Sequence, residues 1–223
     1  MIRCPLCTDD TGKVFADNYY RCEVCRYVFL DRDFLPSKEE ERRIYDYHQN
    51  DPSDLAYINF LSQITGPLQT ELALSFPNGS SPLEGLDFGC GPGPAICEML
   101  ASNQFLVSNF DPTYANDSSL LERNWDFIVS TEVFEHLHTP SENIKILIEV
   151  LNPGGVLAIM TLMITDKLIQ APDQFLKWFY RNDPTHVGFF HKDSFEYLAK
   201  TYNLELRIWN DRCVTLRKKL EEV

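Results

Sequence analysis

Seven residues, Asp87-Phe-Gly89-Cys-Gly91-Pro-Gly93, constrain the fold of this 223-residue chain more than any others. They follow an apolar stretch, Leu83–Phe88, that reads as a strand, and they precede Pro94, which opens a helix running to about Leu100. Proline suits a first helical turn because its missing N–H has no intrahelical partner there. Glycines at a strand-to-helix turn let a ligand approach the backbone closely. Taken alone, such a loop is only a tight turn. Here the alternation continues: Phe105–Phe110 reads as a second strand ending at Asp111. A carboxylate about twenty residues past a glycine loop can accept both hydroxyls of a ribose. The pattern predicts an α/β domain that binds a nucleotide-type ligand.

The N-terminus carries a second constraint. Cys4-Pro-Leu-Cys7 is followed by fourteen residues and then Cys22-Glu-Val-Cys25. Two such pairs offer four thiolates to one tetrahedral ion, which suits zinc. Lys13–Phe15 and Tyr19–Arg21 are expected to pair as short strands, with Tyr27–Leu30 continuing the ribbon. A segment this short buries little apolar surface, so metal binding has to supply its folding energy. A redox dithiol fits less well, because both pairs are complete and no βαβ pattern surrounds either. Four sulfurs leave no open coordination position, so the expected zinc is a structural clip.

Composition excludes several classes. Hydrophobic residues are 44%, aromatic 13% and charged 24%, an ordinary globular balance that argues against wholesale disorder. No uninterrupted run of about 18 apolar residues offers a spanning helix. The first ten residues, MIRCPLCTDD, lack an apolar core of about 7–15 residues, so no signal peptide is expected and a cytoplasmic location is. A net charge of −13 argues against a general nucleic-acid or anionic-membrane binder.

Between ribbon and core, Asp31–Pro36 reads as a break, and Ser37 with Glu40 forms a capping-box pattern before a short helix over 38–48. His48–Pro52 breaks it. Residues 53–76 carry Leu55, Ile58, Leu61, Leu68 and Leu72 at mostly helical spacing, interrupted at Gly66-Pro67, and 77–82 reads as a loop. The expected organisation is a zinc-ribbon-like segment over 1–35, a helical lead-in over 36–82 and an α/β core over 83–219, with an insertion at 161–190.

Ser130-Thr131-Glu132-Val133-Phe134-Glu135-His136-Leu137 follows another strand, Trp125–Ser130. Loops at the carboxyl ends of strands line the ligand crevice of an open α/β sheet. Glu132, Glu135 and His136 have i, i+3, i+4 spacing and share one face if the stretch is helical. Two carboxylates and an imidazole can hold a divalent metal, orient one another for proton transfer, or simply cap the helix and satisfy backbone. The insertion contains Phe175, Trp178, Phe179, Tyr180, Phe189 and Phe190, which can enclose a planar acceptor or form ordinary core. His191 reads as a helix cap or surface residue, and Cys90 and Cys97 as small buried residues.

The glycine loop resembles that of the class I S-adenosylmethionine-dependent methyltransferases, whose D/E-x-G-x-G-x-G motif matches Asp87, Gly89, Gly91 and Gly93. The dinucleotide fingerprint G-x-G-x-x-G fails, because position 94 is proline. The resemblance extends from about residue 55 to 219. Trp125–Ser130 looks like the family's fourth strand, Asn152-Pro-Gly-Gly155 like the turn into its fifth, Val156–Met160, and Tyr202–Trp209 with Arg212–Arg217 like its closing hairpin. This implies a Rossmann-like doubly wound sheet with a closing antiparallel hairpin. Only fourteen residues separate Asp111 from Asp126, too few for the usual helix and edge strand, so the third strand is expected to be shortened or missing. S-adenosylmethionine is the implied cofactor, with Asp87, Gly89, Gly91, Gly93, Asp111 and Thr131 around it and Tyr114 or backbone groups at the adenine.

The Glu132-Val-Phe-Glu135-His136 string is widespread in that family and resembles two subgroups in particular, the ubiquinone-pathway O-methyltransferases and the small-RNA 3′-terminal 2′-O-methyltransferases. Both carry a further histidine, and His186, nine residues before Phe195, falls where it would fall. The resemblance implies that Glu132, Glu135, His136 and His186 are the catalytic residues on the acceptor side, holding a second divalent ion or using a histidine as base. The expected function is methylation of a small-molecule acceptor, at oxygen. The rival readings are an RNA or protein methyltransferase that docks through the ribbon, and a non-catalytic cofactor-binding module, against which the intact glycine loop and Asp111 argue.

Overall fold

The computed structural model describes residues 2–47, 51–77, 82–101 and 105–220. The start of the break expected after the first helix (48–50) and most of the loop expected at 77–82 (78–81) lie outside them.

The ribbon supplies β1 (Gly12–Ala16), β2 (Tyr19–Cys22) and β3 (Val28–Leu30). α1 (Lys38–Tyr45) opens with the expected capping box, Ser37 with Glu40. α2 (Leu55–Ser75) runs unbroken through Pro67. The expected interruption at Gly66-Pro67 is therefore absent. Leu61, Ile64, Leu68 and Leu72 are buried along one face of α2 against Phe127, Val156, Ala158 and Met160 of the sheet. Burying four large side chains, at about 1.5–3 kcal/mol each, outweighs the roughly 3 kcal/mol cost of an interior proline.

The core continues as β4 (Glu84–Phe88), α3 (Ala95–Ala101), β5 (Leu106–Phe110), β6 (Trp125–Thr131), α4 (Pro140–Glu149) and β7 (Leu151–Met160). Two short helices follow, α5 (Asp166–Ile169) and α6 (Pro172–Phe175), then β8 (Gly188–Phe189), α7 (Lys192–Thr201), β9 (Leu204–Ile208) and β10 (Cys213–Lys218). Six strands form the main sheet in the order β5-β4-β6-β7-β10-β9. β4, β5, β6 and β7 run parallel, and β10 is antiparallel to β7 and to β9. Along β7 the side chains alternate with period two: Val156, Ala158 and Met160 face α2, and Leu157 and Ile159 face the cluster that includes Phe134, Ile144, Leu147 and Phe195.

β5 is the edge, so the third strand is missing among the described residues. Residues 112–124 hold instead an Asp111–Ala115 bridge and a 3-10 turn over Ser118–Leu121. A lost edge strand leaves the central pairings intact.

The ribbon is joined to the core. β3 pairs antiparallel with β8, giving a four-stranded sheet, β1-β2-β3-β8, that spans the N-terminal segment and the insertion. Tyr27, Phe29 and Leu6 are buried in the same cluster as Phe134, Phe190 and Phe195. The segment has little apolar core of its own, and the insertion supplies the apolar partners that it lacks. No helix of the described residues is long and apolar enough to cross a membrane.

Candidate active site

The glycine loop leaves β4 through two left-handed residues, Gly89 (φ 81°) and Gly91 (φ 63°). A Cβ on Gly89 would lie 2.3 Å from Val133 Cγ2, so the loop is also in contact with the chain beyond β6. Beneath it, Asp87 is 2% exposed, and burial pushes its carboxyl up to about 7, with the charge of Asp111 adding to the effect. Asp111, just past β5, accepts the Gly91 N–H on one carboxylate oxygen (3.1 Å) and the Thr113 and Tyr114 N–H groups on the other (2.7 and 3.0 Å).

A cleft of about 950 Å³ opens above the loop. Of the residues expected around a cofactor, Gly89, Gly91, Asp111, Tyr114 and Thr131 line it, whereas Asp87 and Gly93 do not. α1 forms one wall. Its Tyr45 ring stands edge-on to His136 at 5.3 Å, Glu41 meets His138 at 2.8 Å, and Asp46 accepts the Tyr114 hydroxyl at 2.8 Å.

At the other end of the cleft the chain beyond β6 does not form the α-helix that its spacing allows. Glu132 takes a left-handed conformation (φ 51°), and only a three-residue 3-10 turn, Phe134–His136, follows. The turn buries Phe134 completely and leaves Glu132 outside it. The shared face expected for Glu132, Glu135 and His136 is therefore absent. Glu132 turns to Arg212, whose Nη1 donates to it at 3.0 Å. Glu135 is fully buried and faces His186. A carboxylate oxygen of Glu135 and one ring nitrogen from each of His136 and His186 lie within 4.8 Å of one another.

Backbone carbonyls set both imidazole tautomers. His136 Nδ1 lies 2.9 Å from the Thr185 carbonyl, and His186 Nδ1 lies 2.6 Å from the Tyr180 carbonyl. Carbonyls only accept, so each Nδ1 carries a hydrogen, and in His186, whose pKa is lowered, Nε2 keeps its lone pair. His186 Nε2 is 4.0 Å from Glu135 and 3.9 Å from Asp183. Burial lowers the His186 pKa, against the opposing charges of Glu135 and Asp183. Burial raises Glu135, against His186 and the Tyr180 hydroxyl, and it raises Glu132 to about 8, with the Glu135 charge adding and Arg212 opposing.

Tyr180 ties the cluster together. Its hydroxyl receives the Leu162 N–H at 3.2 Å, which leaves its own hydrogen for the carboxylates: Glu135 at 2.5 Å and Glu132 at 3.2 Å. Sequence reasoning counted Tyr180 only among the insertion's aromatics, and it missed Arg212 and Tyr45. None of the insertion's six aromatics lines the cleft; Phe175, Tyr180 and Phe189 pack with Tyr19 and Val28 of the ribbon. His191 caps α7, accepting the Asp193 N–H at 3.2 Å.

The four cysteines converge. Cys4 and Cys25 sulfurs are 3.7 Å apart, those of Cys7 and Cys22 are 3.4 Å apart, and all four lie within 4.8 Å of one another. The two CxxC pairs close alike. Thr8 and Arg26, each just past a second cysteine, adopt positive φ (62° and 58°) and donate their N–H to the carbonyls of Cys4 and Cys22.

Two imidazoles that line one cleft with a backbone cradle, and a buried carboxylate behind them, can bind an anchored cofactor and remove a proton beside it. A family model described as a methyltransferase domain matches residues 60–207. No curated protein is similar in sequence. Solved structures share the fold. An O-methyltransferase family protein from Burkholderia thailandensis is 14% identical with a TM-score of 0.53, covering 86% of this chain and 66% of that one. The plantazolicin methyltransferase BpumL, in complex with SAH (S-adenosylhomocysteine), is 14% identical with a TM-score of 0.54, covering 84% and 93%. Human N-acetylserotonin methyltransferase, in complex with SAM (S-adenosylmethionine), is 12% identical with a TM-score of 0.54, covering 83% and 60%. This chain thus spans less than two thirds of the Burkholderia and human proteins, and identities this low speak for the fold alone. The domain match takes in β4 to β9, the glycine loop and the cluster at its far side, and the chain belongs to the methyltransferase-domain family, with the fold of the S-adenosylmethionine-dependent methyltransferases.

Proposed function

We propose that this chain is an S-adenosylmethionine-dependent methyltransferase that methylates an oxygen of a small-molecule acceptor, with zinc held by Cys4, Cys7, Cys22 and Cys25 as a structural clip. One observation carries the reading: Gly89, Gly91 and Asp111 line the same cleft as His136 and His186. The cofactor, when bound, supplies a methyl carbon on a positively charged sulfur. The glycine loop offers it backbone, and Asp111 its ribose contacts. A carboxylate has about four acceptor directions, and three are already used by backbone N–H groups, so binding two ribose hydroxyls requires at least one N–H to let go. Gly91, Thr113 and Tyr114, the three donors, all line the cleft.

At the acceptor end, His186 Nε2 would take the proton of an acceptor hydroxyl, leaving its oxygen as the nucleophile. Glu135, 4.0 Å away, balances the imidazolium that forms. The lowered pKa of His186 keeps it neutral, and so competent as a base, at neutral pH. Glu135, His136 and His186 also form a two-histidine, one-carboxylate donor set that suits a first-row divalent ion. Such an ion, when bound, lowers the pKa of an acceptor hydroxyl. The unpartnered second oxygen of Glu135 fits that use.

The zinc reading rests on fit. Zn–S bonds of about 2.3 Å give tetrahedral edges of about 3.8 Å, close to the 3.7 and 3.4 Å sulfur separations. The Val24 and Cys25 N–H groups donate to the Cys22 sulfur, as a thiolate requires. Calorimetry with S-adenosylmethionine and S-adenosylhomocysteine is the first test, followed by a screen of hydroxylated acceptors; no binding of either overturns the reading. Metal analysis of fresh protein without zinc removes the clip.

A further inference from the structure

We infer that two residues of the cysteine-clipped ribbon, Tyr27 and Leu30, are positioning residues for His186 and Glu135. The inference rests on the reading of that pair as acceptor-side groups, and it gives the ribbon a task in the active site beyond folding itself.

A backbone ladder makes the first connection. Val187 follows His186 directly. Its N–H donates to the Glu135 carbonyl at 2.8 Å, and its carbonyl receives the Leu30 N–H at 2.8 Å. One residue thus stands between the turn that carries Glu135 and the last residue of β3. The pairing continues through Phe29 opposite Gly188 and Val28 opposite Phe189. With two strand residues in β8, this edge has little pairing of its own to hold it.

Side chains make the second connection. Tyr27 is 1% exposed and lies directly on Gly188, where a Cβ would fall 1.6 Å from the Tyr27 hydroxyl. Its ring stands edge-on to Phe190 at 4.8 Å, and Phe190 is 5.8 Å from Phe134, the neighbour of Glu135. Tyr27 is two residues past Cys25, whose carbonyl receives the Ser194 hydroxyl at 2.8 Å, and Arg26 between them pairs with Asp166 and Asp193. The cysteine site therefore fixes where Tyr27 and Leu30 stand, and these two fix where the His186 segment stands against Glu135. The glycine loop and Asp111 have no part in either connection.

Tyr27→Ala in the full chain is the test, with Cys22→Ser as a second variant and Tyr27→Phe, which keeps the ring, as the conservative one. Three quantities are read: affinity for S-adenosylhomocysteine by calorimetry, hydrogen exchange at the Val187 amide by NMR, and affinity of the Glu135–His136–His186 cluster for Mn²⁺ by EPR. In Tyr27→Ala and Cys22→Ser the Val187 amide is expected to exchange at least about tenfold faster and Mn²⁺ to bind at least about tenfold more weakly, with cofactor affinity within about threefold of the parent and Tyr27→Phe close to it. Unchanged Val187 exchange in Tyr27→Ala overturns the inference. So does loss of cofactor binding in both variants, which would make the ribbon a support for the whole fold. A parent protein that binds no Mn²⁺ counts against the divalent-ion reading alone, since the exchange measurement decides the positioning on its own.

Discussion

At the glycine-loop end of the cleft, the residues of interest, Thr131 apart, come from one stretch, Asp87 to Tyr114: strand, loop, helix, strand and the turn after it. At the histidine end, Glu135 and His136 come from the turn after β6, His186 and Tyr180 from the insertion, Arg212 from the hairpin before β10, and the brace behind them from the N-terminal ribbon. The first end is held by its own backbone. The second is held by contacts between segments distant in sequence. A change at the loop end is therefore expected to act on ligand binding directly, and a change at the histidine end to act through geometry that other segments maintain.

The variant that breaks the comparison most severely is Gly89→Val, because it strikes a direct contact between the two ends. It forces a branched residue into a left-handed conformation, at about 1–2 kcal/mol, and drives a Cβ into Val133, at about 1–3 kcal/mol more. S-adenosylhomocysteine affinity is expected to fall by at least about 100-fold, and the urea midpoint to fall with it. A parental midpoint would mean that the loops are not in contact. Asp111→Ala sharpens the comparison instead. It removes an acceptor that organises three N–H groups, each such bond being worth about 1.5–3 kcal/mol, and is expected to weaken S-adenosylmethionine binding by about 100-fold or more. Calorimetry giving parental affinity would separate Asp111 from the ribose.

His186→Ala tests the far end. Methyl transfer to an identified acceptor is expected to fall by about 10²–10⁴, while cofactor affinity stays within about threefold. Equal losses in both would mean that the two ends are one unit and that the contrast between them is wrong.

The same contrast governs what the sequence disclosed. The sheet, the missing third strand and the closing hairpin follow from short-range patterns: a glycine loop after an apolar strand, fourteen residues where a crossover and strand need more, and the Asn210 turn, whose side chain accepts the Arg212 and Cys213 N–H groups. The convergence of Glu135, His136 and His186 came from a resemblance, since nothing local to residue 186 says what it faces. Three features had no short-range signal. The positive φ at Glu132 precedes a turn that buries Phe134 two residues on. Arg212 reaches Glu132 because the start of β10 lies beside the end of β7. β8 is two residues long, and it pairs with β3 where Tyr27 lies on Gly188. The continuous α2 misled for the opposite reason. Gly66-Pro67 is a strong local break signal, overruled by a buried face that only the sheet reveals.

The smallest expected effect concerns Asp87, and it sets the two ends apart by the sign of their titration. Asp87 is buried beneath the loop with its pKa raised to about 7, against about 3.9 in an unfolded chain. A raised carboxyl pKa means that the folded state holds the proton more tightly, so stability falls as pH rises from about 4 to 7 and stays low above that window. At the histidine end the signs are mixed. Glu132, raised to about 8, acts as Asp87 does, whereas His186, with its pKa lowered, contributes stability that is present above its ordinary pKa of about 6.5 and lost as pH falls through it. These opposing slopes partly cancel, and the loop end has no such counterweight. Asp87→Asn is therefore expected to flatten the pH dependence of unfolding: measured by urea in cofactor-free protein, the parent should lose about 2 kcal/mol more than the variant between pH 5 and pH 8. Parallel curves for the two proteins would mean that the carboxylate beneath the loop is ionised throughout, with a partner stabilising its charge.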